Sequence, residues 1–513
     1  MEILKTLIRA VPARKLKTLR LPHAPLPGES SSKLYDLYSG ISTGRFDDDG
    51  SAAQSLYGTT KPGNKFSKLK YDLRAQLLRL LPFVMLEKPE LPKPYPAIYQ
   101  CYAEWTAIRL LYTLGTTQAA VKLLKKLLRK AEQYELYEIV IGGYRLLRAY
   151  HGNTTGSQSS LKDIEQKLIQ SLSLQAADMA AESAYYHLIS HYVQDKSTKV
   201  FIAQQAAEAL EKLKPQVPGS PSNNFFFKYK MIELIHHMSL YHYKEAISIC
   251  EEADCFFRGK PFFYTQHLVI FQYQWIVSSI QLGQFDQARQ IVRASLSILR
   301  KGSFNWYKAK KLEAQVALYE NDYLRAYQIT VQVARRKQKP EGHPVLHEEW
   351  ILIEAYMKLL AMAGLIQLPQ GQPRLRPFRL QRFMNEFTIF SQDKRGMNIP
   401  VLAAQILFLI SKSDFGQAID RFGAIEKYAY RHLKAEELTR SRVFFRTLSQ
   451  LADAGFAVEK AKELRQEFLL NLSAQPQAPK NYHIEIIPYE DLWPLLSILL
   501  EQARKAKRNT ANL

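Results

Sequence analysis

The sequence predicts an all-α fold, an irregular solenoid of helical hairpins preceded by a small N-terminal helical unit. Three observations lead there. Beyond Pro96, apolar residues recur at three- and four-residue spacing in segments of about 12–18 residues, separated by short polar or Gly-containing turns. Alternation of the strand kind is confined to one good stretch, YHIEIIP, Tyr482–Pro488. An aromatic residue three positions before an alanine returns wherever one helix should give way to the next. Proline-rich breaks at Glu87–Pro96, Leu368–Pro377 and Ala474–Lys480 set the boundaries. They delimit a unit over residues 1–94, a solenoid over 95–473 with a basic loop near 366–382, and a tail over 474–513 made of a linker, a short strand and a C-terminal helix.

The first unit carries a basic helix. After the Pro62-Gly63 break, Phe66, Leu69, Leu73, Leu77 and Leu80 fall on one helical face, and Lys65, Lys68, Lys70, Arg74 and Arg79 lie largely outside it. The stripe anchors the helix in a core and turns its cations outward. The run LYGTTKPGNKFSKLKYDLRAQLL resembles the recognition-helix region of winged-helix domains in bacterial activators that join such a domain to tetratricopeptide-like repeats. Leu56, Tyr57, Gly58, Leu69, Leu73 and Arg74 carry that resemblance. It implies a helix that enters the major groove of DNA, followed by a β-hairpin wing. The prolines of PFVMLEKPELPKPYPAIY suit a hairpin poorly, and Asp72 with the run Asp47–Asp49 weakens the local positive field. Two readings therefore stay open: a nucleic-acid reader built on Lys65, Lys68, Lys70 and Arg74, or a cap over the solenoid's first apolar face.

The hairpin pattern is clearest in four places. SLYHYKEAISIC, QLGQFDQARQIV, YENDYLRAYQIT and SKSDFGQAIDRF align the pairs Tyr243/Ala246, Phe285/Ala288, Tyr323/Ala326 and Phe415/Ala418. A fifth stretch, TLGTTQAAVKLL, keeps the Leu-Gly and the alanine but has Thr117 at the aromatic position. The small alanine lets two helices approach closely, and the ring fills the gap at the turn. The pattern resembles the tetratricopeptide repeat, whose turn reads Gly-x-aromatic-x-x-Ala; LGQFDQA is the best copy, with Trp275 near the family's early large apolar position. The resemblance implies a concave surface that holds a peptide or partner domain. The alanines at 246, 288 and 326 are spaced more widely than the family's period, so the units are irregular.

Two ring-rich stretches, NNFFFKYK (Asn223–Lys230) and CFFRGKPFFY (Cys255–Tyr264), interleave aromatics with Lys228, Lys230, Arg258 and Lys260. That composition suits a single-strand stacking platform, but both stretches flank helical segments, where packing between hairpins is the simpler use. Arg374, Arg376, Arg379 and Arg382 in PRLRPFRLQRF form the best basic patch of the solenoid. Along with the basic helix, it is a candidate site for nucleic acid or an acidic partner.

Composition supports a folded, non-membrane chain: 513 residues, 47% hydrophobic, and no apolar run long enough to cross a bilayer. The start, MEILKTLIRAVPARKLKTLRLP, lacks the continuous apolar core of a signal peptide, and Cys101, Cys250 and Cys255 are too few for a disulfide framework. A cytoplasmic location is expected. The net charge of +22 points to acidic partners, though only residues 1–90 concentrate it, with 15 Lys and Arg against 9 Asp and Glu. The pairs His187/His191 and His343/His347 complete no zinc spacing, and nucleophile-elbow, phosphate-loop and dinucleotide motifs are missing. The reading is a non-enzymatic interaction scaffold without cofactor or metal, its groove holding another protein or peptide. A nucleic-acid-binding regulator with the solenoid as sensing or oligomerising part is the alternative.

Overall fold

The computed structural model describes residues 1–11, 32–86, 93–154, 158–193, 199–336, 344–375, 383, 398–421, 439–474 and 485–511. Among these residues the secondary structure is helical and no strand occurs. The chain divides into two compact units, one of residues 1–178 with 261–264, the other of residues 179–260 with 265–513.

The first unit begins with α1 (Glu2–Ala10), α2 (Lys33–Ser42), α3 (Asp49–Tyr57) and α4 (Asn64–Leu86). Local chemistry sets their ends. Ser32 caps α2 by accepting from the Tyr35 amide, and Asp48 and Ser51 form a reciprocal capping box on α3. Gly58, at φ 74°, closes α3 in the left-handed region that glycine adopts without cost. The four helices share a core of Leu4, Leu37, Phe46, Phe66, Leu73 and Leu77, and the Tyr38 hydroxyl donates to the Val11 carbonyl at 2.9 Å. The first described helix after α4 is α5 (Tyr95–Thr113), so the described residues here contain no wing strand. Next come α6 (Thr117–Gln133), α7 (Tyr137–Thr154) and α8 (Gln158–Val193), whose residues from Met179 on belong to the second unit. At 36 residues α8 is far longer than the periodicity suggests; it contains neither Gly nor Pro to stop it.

The second unit contains α9 (Lys199–Leu213), α10 (Asn223–Ser239), α11 (Tyr243–Gly259), α12 (Thr265–Gln281), α13 (Phe285–Ile298), α14 (Phe304–Tyr319), α15 (Tyr323–Ala334) and α16 (Pro344–Met362). Each packs on its sequence neighbours as a hairpin, and α12 also touches α14, so successive hairpins stack. One turn geometry recurs between the helices. Tyr241, Gly283, Asn321 and Ser413 have φ between 60° and 70°, and the amide that follows each donates back five residues, to the carbonyls of His237, Ser279, Ala317 and Leu409. Two residues after each left-handed position stand Tyr243, Phe285, Tyr323 and Phe415, the first residues of the next helix. Ala246, Ala288, Ala326 and Ala418 are fully buried one turn further on. Gly115 makes the same turn before Thr117 in the first unit, and so does Glu135 before Tyr137, with Val140 in the alanine position.

Such close contacts leave no room for extra methylenes. Ala288→Leu should lower the unfolding free energy by roughly 1–3 kcal/mol through overpacking, read from the urea midpoint at constant slope. A neutral effect there, with Ala288 remaining buried, would contradict close helix approach as the reason for the alanine.

The unit is completed by α17 (Asn398–Ser411), a helical segment over 415–421, α18 (Thr439–Asp453), α19 (Val458–Ser473) and α20 (Tyr489–Ala511). α20 packs against α16, α17 and α19. Trp493 is fully buried, stacks on Phe468 and donates its indole N–H to the Ala461 carbonyl at 3.1 Å. The strand expected over Tyr482–Pro488 is not formed by its described part: Glu485–Pro488 is an irregular approach to α20, and residues 482–484 lie outside the described residues. Buried chemistry overrides the alternation. Arg440 on α18 donates Nε to Glu485 Oε1 at 2.8 Å and Nη2 to Glu485 Oε2 and Glu490 Oε2 at 3.0 and 2.6 Å, and the Tyr319 hydroxyl donates to the Glu485 carbonyl at 2.8 Å.

Candidate interaction surfaces

The apolar stripe of α4 holds the helix as its spacing requires. Phe66, Leu73, Leu77 and Leu80 are buried, Leu69 is half-buried, and Lys65, Lys68 and Arg74 face solvent. Lys70 is different. Its Nζ lies 2.6 Å from Asp49, which also sits 3.5 Å from the Met1 amine. Burial pushes the Asp49 carboxyl up, but the Lys70 and N-terminal ammonium groups outweigh it and hold that carboxyl below its ordinary range. Lys70 is thus engaged by a half-exposed ion pair, and the other three expected cations carry no such partner in the unit's core. The Arg74 guanidinium lies 5.6 Å from the centre of the Tyr71 ring. Elsewhere in the unit, a cleft of about 440 Å³ opens between α1 and the end of α2, lined by Lys5, Arg9, Thr43, Gly44 and Asp47.

Of the basic loop, Arg374 is described and exposed, while Arg376, Arg379 and Arg382 lie outside the described residues. Leu375 beside it is buried, and its amide donates to the Tyr327 hydroxyl at 3.0 Å.

The phenylalanines of the first ring-rich stretch are interior, and those of the second are buried at Phe257 and half-buried elsewhere. Phe225, Phe226, Phe227 and Phe257 are buried; Phe226 stacks on Phe256, and Phe227 stacks on the His267 imidazole with centroids 4.0 Å apart. Their cations are occupied locally. Lys230 bridges Glu233 and Glu252 at 2.7 Å, Arg258 pairs with Asp254, and Lys228 is buried with its ammonium over the Tyr185 and Tyr186 rings at 4.4 and 4.2 Å. Burial, with the Lys228 charge adding to it, depresses the His267 imidazole to about 4.

The weaker candidates separate. His187 is exposed, and His191 lies edge-on to Phe201; His343 is outside the described residues, with Pro344 opening α16 after it. Cys250 is fully buried and its thiol is pushed up by burial, whereas Cys255 is exposed. Among the described residues no group of three or more His, Cys, Asp or Glu is placed to hold a metal ion, and no helix is long and apolar enough to cross a membrane. One surface escaped the sequence reading. Ile169, Leu172, Met179 and Tyr186 of α8 are exposed along a single face, hidden in the sequence because a helix of that length was not anticipated. Compared with protein-family models, curated proteins and solved structures, the chain matches none.

Proposed function

We propose that this chain is a non-enzymatic scaffold of the tetratricopeptide-like kind, whose stacked hairpins present a surface to another protein or peptide. One observation carries the reading: the same left-handed turn, aromatic position and buried alanine recur between consecutive helices while α12 meets α14 across the intervening helix. Repetition of one hairpin unit builds a continuous side-chain surface, and such surfaces bind partners by shape and hot spots, without chemistry at a reacting atom. Arg374 offers one exposed cation to an acidic partner.

The second reading, a nucleic-acid-binding regulator, rests on Lys65, Lys68 and Arg74 facing solvent on one buried-backed helix. Titration of labelled duplex DNA against the full chain at two salt concentrations separates the two. A regulator should show affinity falling steeply with salt, and the Lys65→Ala, Lys68→Ala, Arg74→Ala triple variant should flatten the log–log slope by about 0.9 for each lost phosphate contact. The scaffold reading expects no such binding, together with retention of a specific protein by the immobilised full chain from lysate of its native host. Salt-steep duplex binding that the triple variant weakens, with no protein retained above background, would overturn it.

A further inference from the structure

Among the described residues three cations are buried, Lys228, Lys311 and Arg440, at 7%, 6% and 7% exposure. Two of them have a counter-charge at hand. Lys311 Nζ lies 2.5 Å from Glu349, and the Arg440 guanidinium is held by Glu485 and Glu490. Lys228, on α10, has neither a carboxylate nor a hydrogen-bond acceptor among the described residues. Its ammonium is surrounded by ring faces instead, with the centres of Tyr186, Tyr185 and Phe227 at 4.2, 4.4 and 5.6 Å. All four residues belong to the second unit.

Ring faces attract an ammonium, but they carry no net charge, and an ion taken out of water recovers its lost hydration only from an opposite charge in good geometry. A buried cation is accordingly paired or liganded as a rule. Here the missing partner has a way in. Tyr186 is 54% exposed, so one wall around the ammonium is the protein surface itself. The Tyr185 and Tyr186 hydroxyls also lack a hydrogen-bond partner among the described residues, and each can donate to an incoming oxyanion.

We infer that Lys228 is the centre of a carboxylate-binding site, which takes an acid group borne on an apolar stem of the partner. One cation calls for one negative charge, and aromatic faces on the other sides suit hydrocarbon beside it. A phosphate, with its higher charge, its several acceptor oxygens and no apolar portion, matches such walls poorly. The terminus of a partner chain or a glutamate side chain supplies the chemistry that fits. That the carboxylate belongs to a partner rests on the scaffold reading; the site itself rests on the geometry around Lys228.

Calorimetric melting of the full chain, with sodium chloride at matched ionic strength as reference, tests the site. N-acetylphenylalanine imitates a chain terminus, the α-amide of N-acetylglutamate imitates a glutamate side chain, and inorganic phosphate is the competing anion. At about ten times a millimolar Kd the fitting carboxylate should raise the melting temperature by on the order of 1–3 °C. The larger of the two responses identifies the source, and phosphate should do less. N-acetylphenylalanine amide, with the same ring and no charge, should have no such effect. Lys228→Met should abolish the rise, while Lys244→Met, which removes an exposed cation, should keep it. Tyr186→Glu, at an exposed position, sets a carboxylate beside the ammonium from within the chain and should cancel the response with the fold intact. These probes need no partner, so their failure leaves the scaffold reading standing. Equal rises in the parent and Lys228→Met, an equal rise with the neutral amide, a larger rise with phosphate, or no response to either carboxylate would overturn the proposal.

Discussion

Replacing Arg440 with methionine should lower the unfolding free energy by about 3–5 kcal/mol, the cost of leaving a buried carboxylate without its counter-charge. Glu485 is buried to 2% exposure and has both carboxylate oxygens on the guanidinium. Glu490 shares the same guanidinium but is partly open to water. The loss therefore concentrates on Glu485. Methionine fills much of the space without a charge, so the effect reports the orphaned carboxylate more than a cavity. Joint replacement of Arg440 by Met and Glu485 by Gln should recover a substantial part of the loss, because the second change removes the charge that the first strands. Urea unfolding of the single and double variants measures this. An Arg440→Met variant as stable as the parent would mean that the network contributes nothing to stability.

Acidification should cost the second unit stability through His267. Its imidazole is depressed from an unperturbed value near 6.5 to about 4, first by burial between Phe227 and neighbouring rings and then by the Lys228 ammonium. The unfolded chain therefore binds a proton that the folded chain refuses between those values. The corresponding stability is fully present above about pH 6.5 and is lost as pH falls through about 4, amounting to roughly 3 kcal/mol at the lower end. Carboxylates titrate at the acidic end of this window too, so the informative quantity is the difference between the parent and His267→Gln. The parent's slope of stability against pH between about 4 and 6.5 should be steeper by up to about 1.4 kcal/mol per unit. Parallel slopes would show that His267 protonates as easily folded as unfolded.

The helices were legible in the sequence because amphipathic spacing is a direct imprint of burial. Phe66, Leu73, Leu77 and Leu80 of the stripe and the alanines at 246, 288, 326 and 418 are buried, as their spacing selects. What makes the turn repeat was only half visible. Gly115 and Gly283 announce a left-handed backbone, but Tyr241, Asn321, Ser413 and Glu135 adopt the same φ without glycine, held there by carbonyls of the preceding helix that need a donor. The copy at Tyr137 escaped notice because Val140 replaces the alanine. Lys70 could not be told from Lys65 or Lys68 by spacing, since its partner Asp49 lies on another helix. Alternation in YHIEIIP read as a strand, yet Glu485 points inward to an arginine 45 residues earlier, an interaction that no local pattern encodes.

The bond from Tyr319 to the Glu485 carbonyl bridges 166 residues, and Gln502 reaches back 139 residues to the Ala363 carbonyl. Neighbouring hairpins need only their own helices to form, so most of the second unit can assemble in step with its synthesis. Its last layer cannot. The apolar faces of α16, α17 and α19 must wait for α20, and at about 5–20 residues per second the ribosome takes on the order of ten to thirty seconds to cover the interval from Tyr319 to Glu485. During that interval the nascent chain carries a half-built interior, open to whatever else in the cell binds apolar helices. Completion of this fold therefore waits on translation, through the long loop that α20 closes.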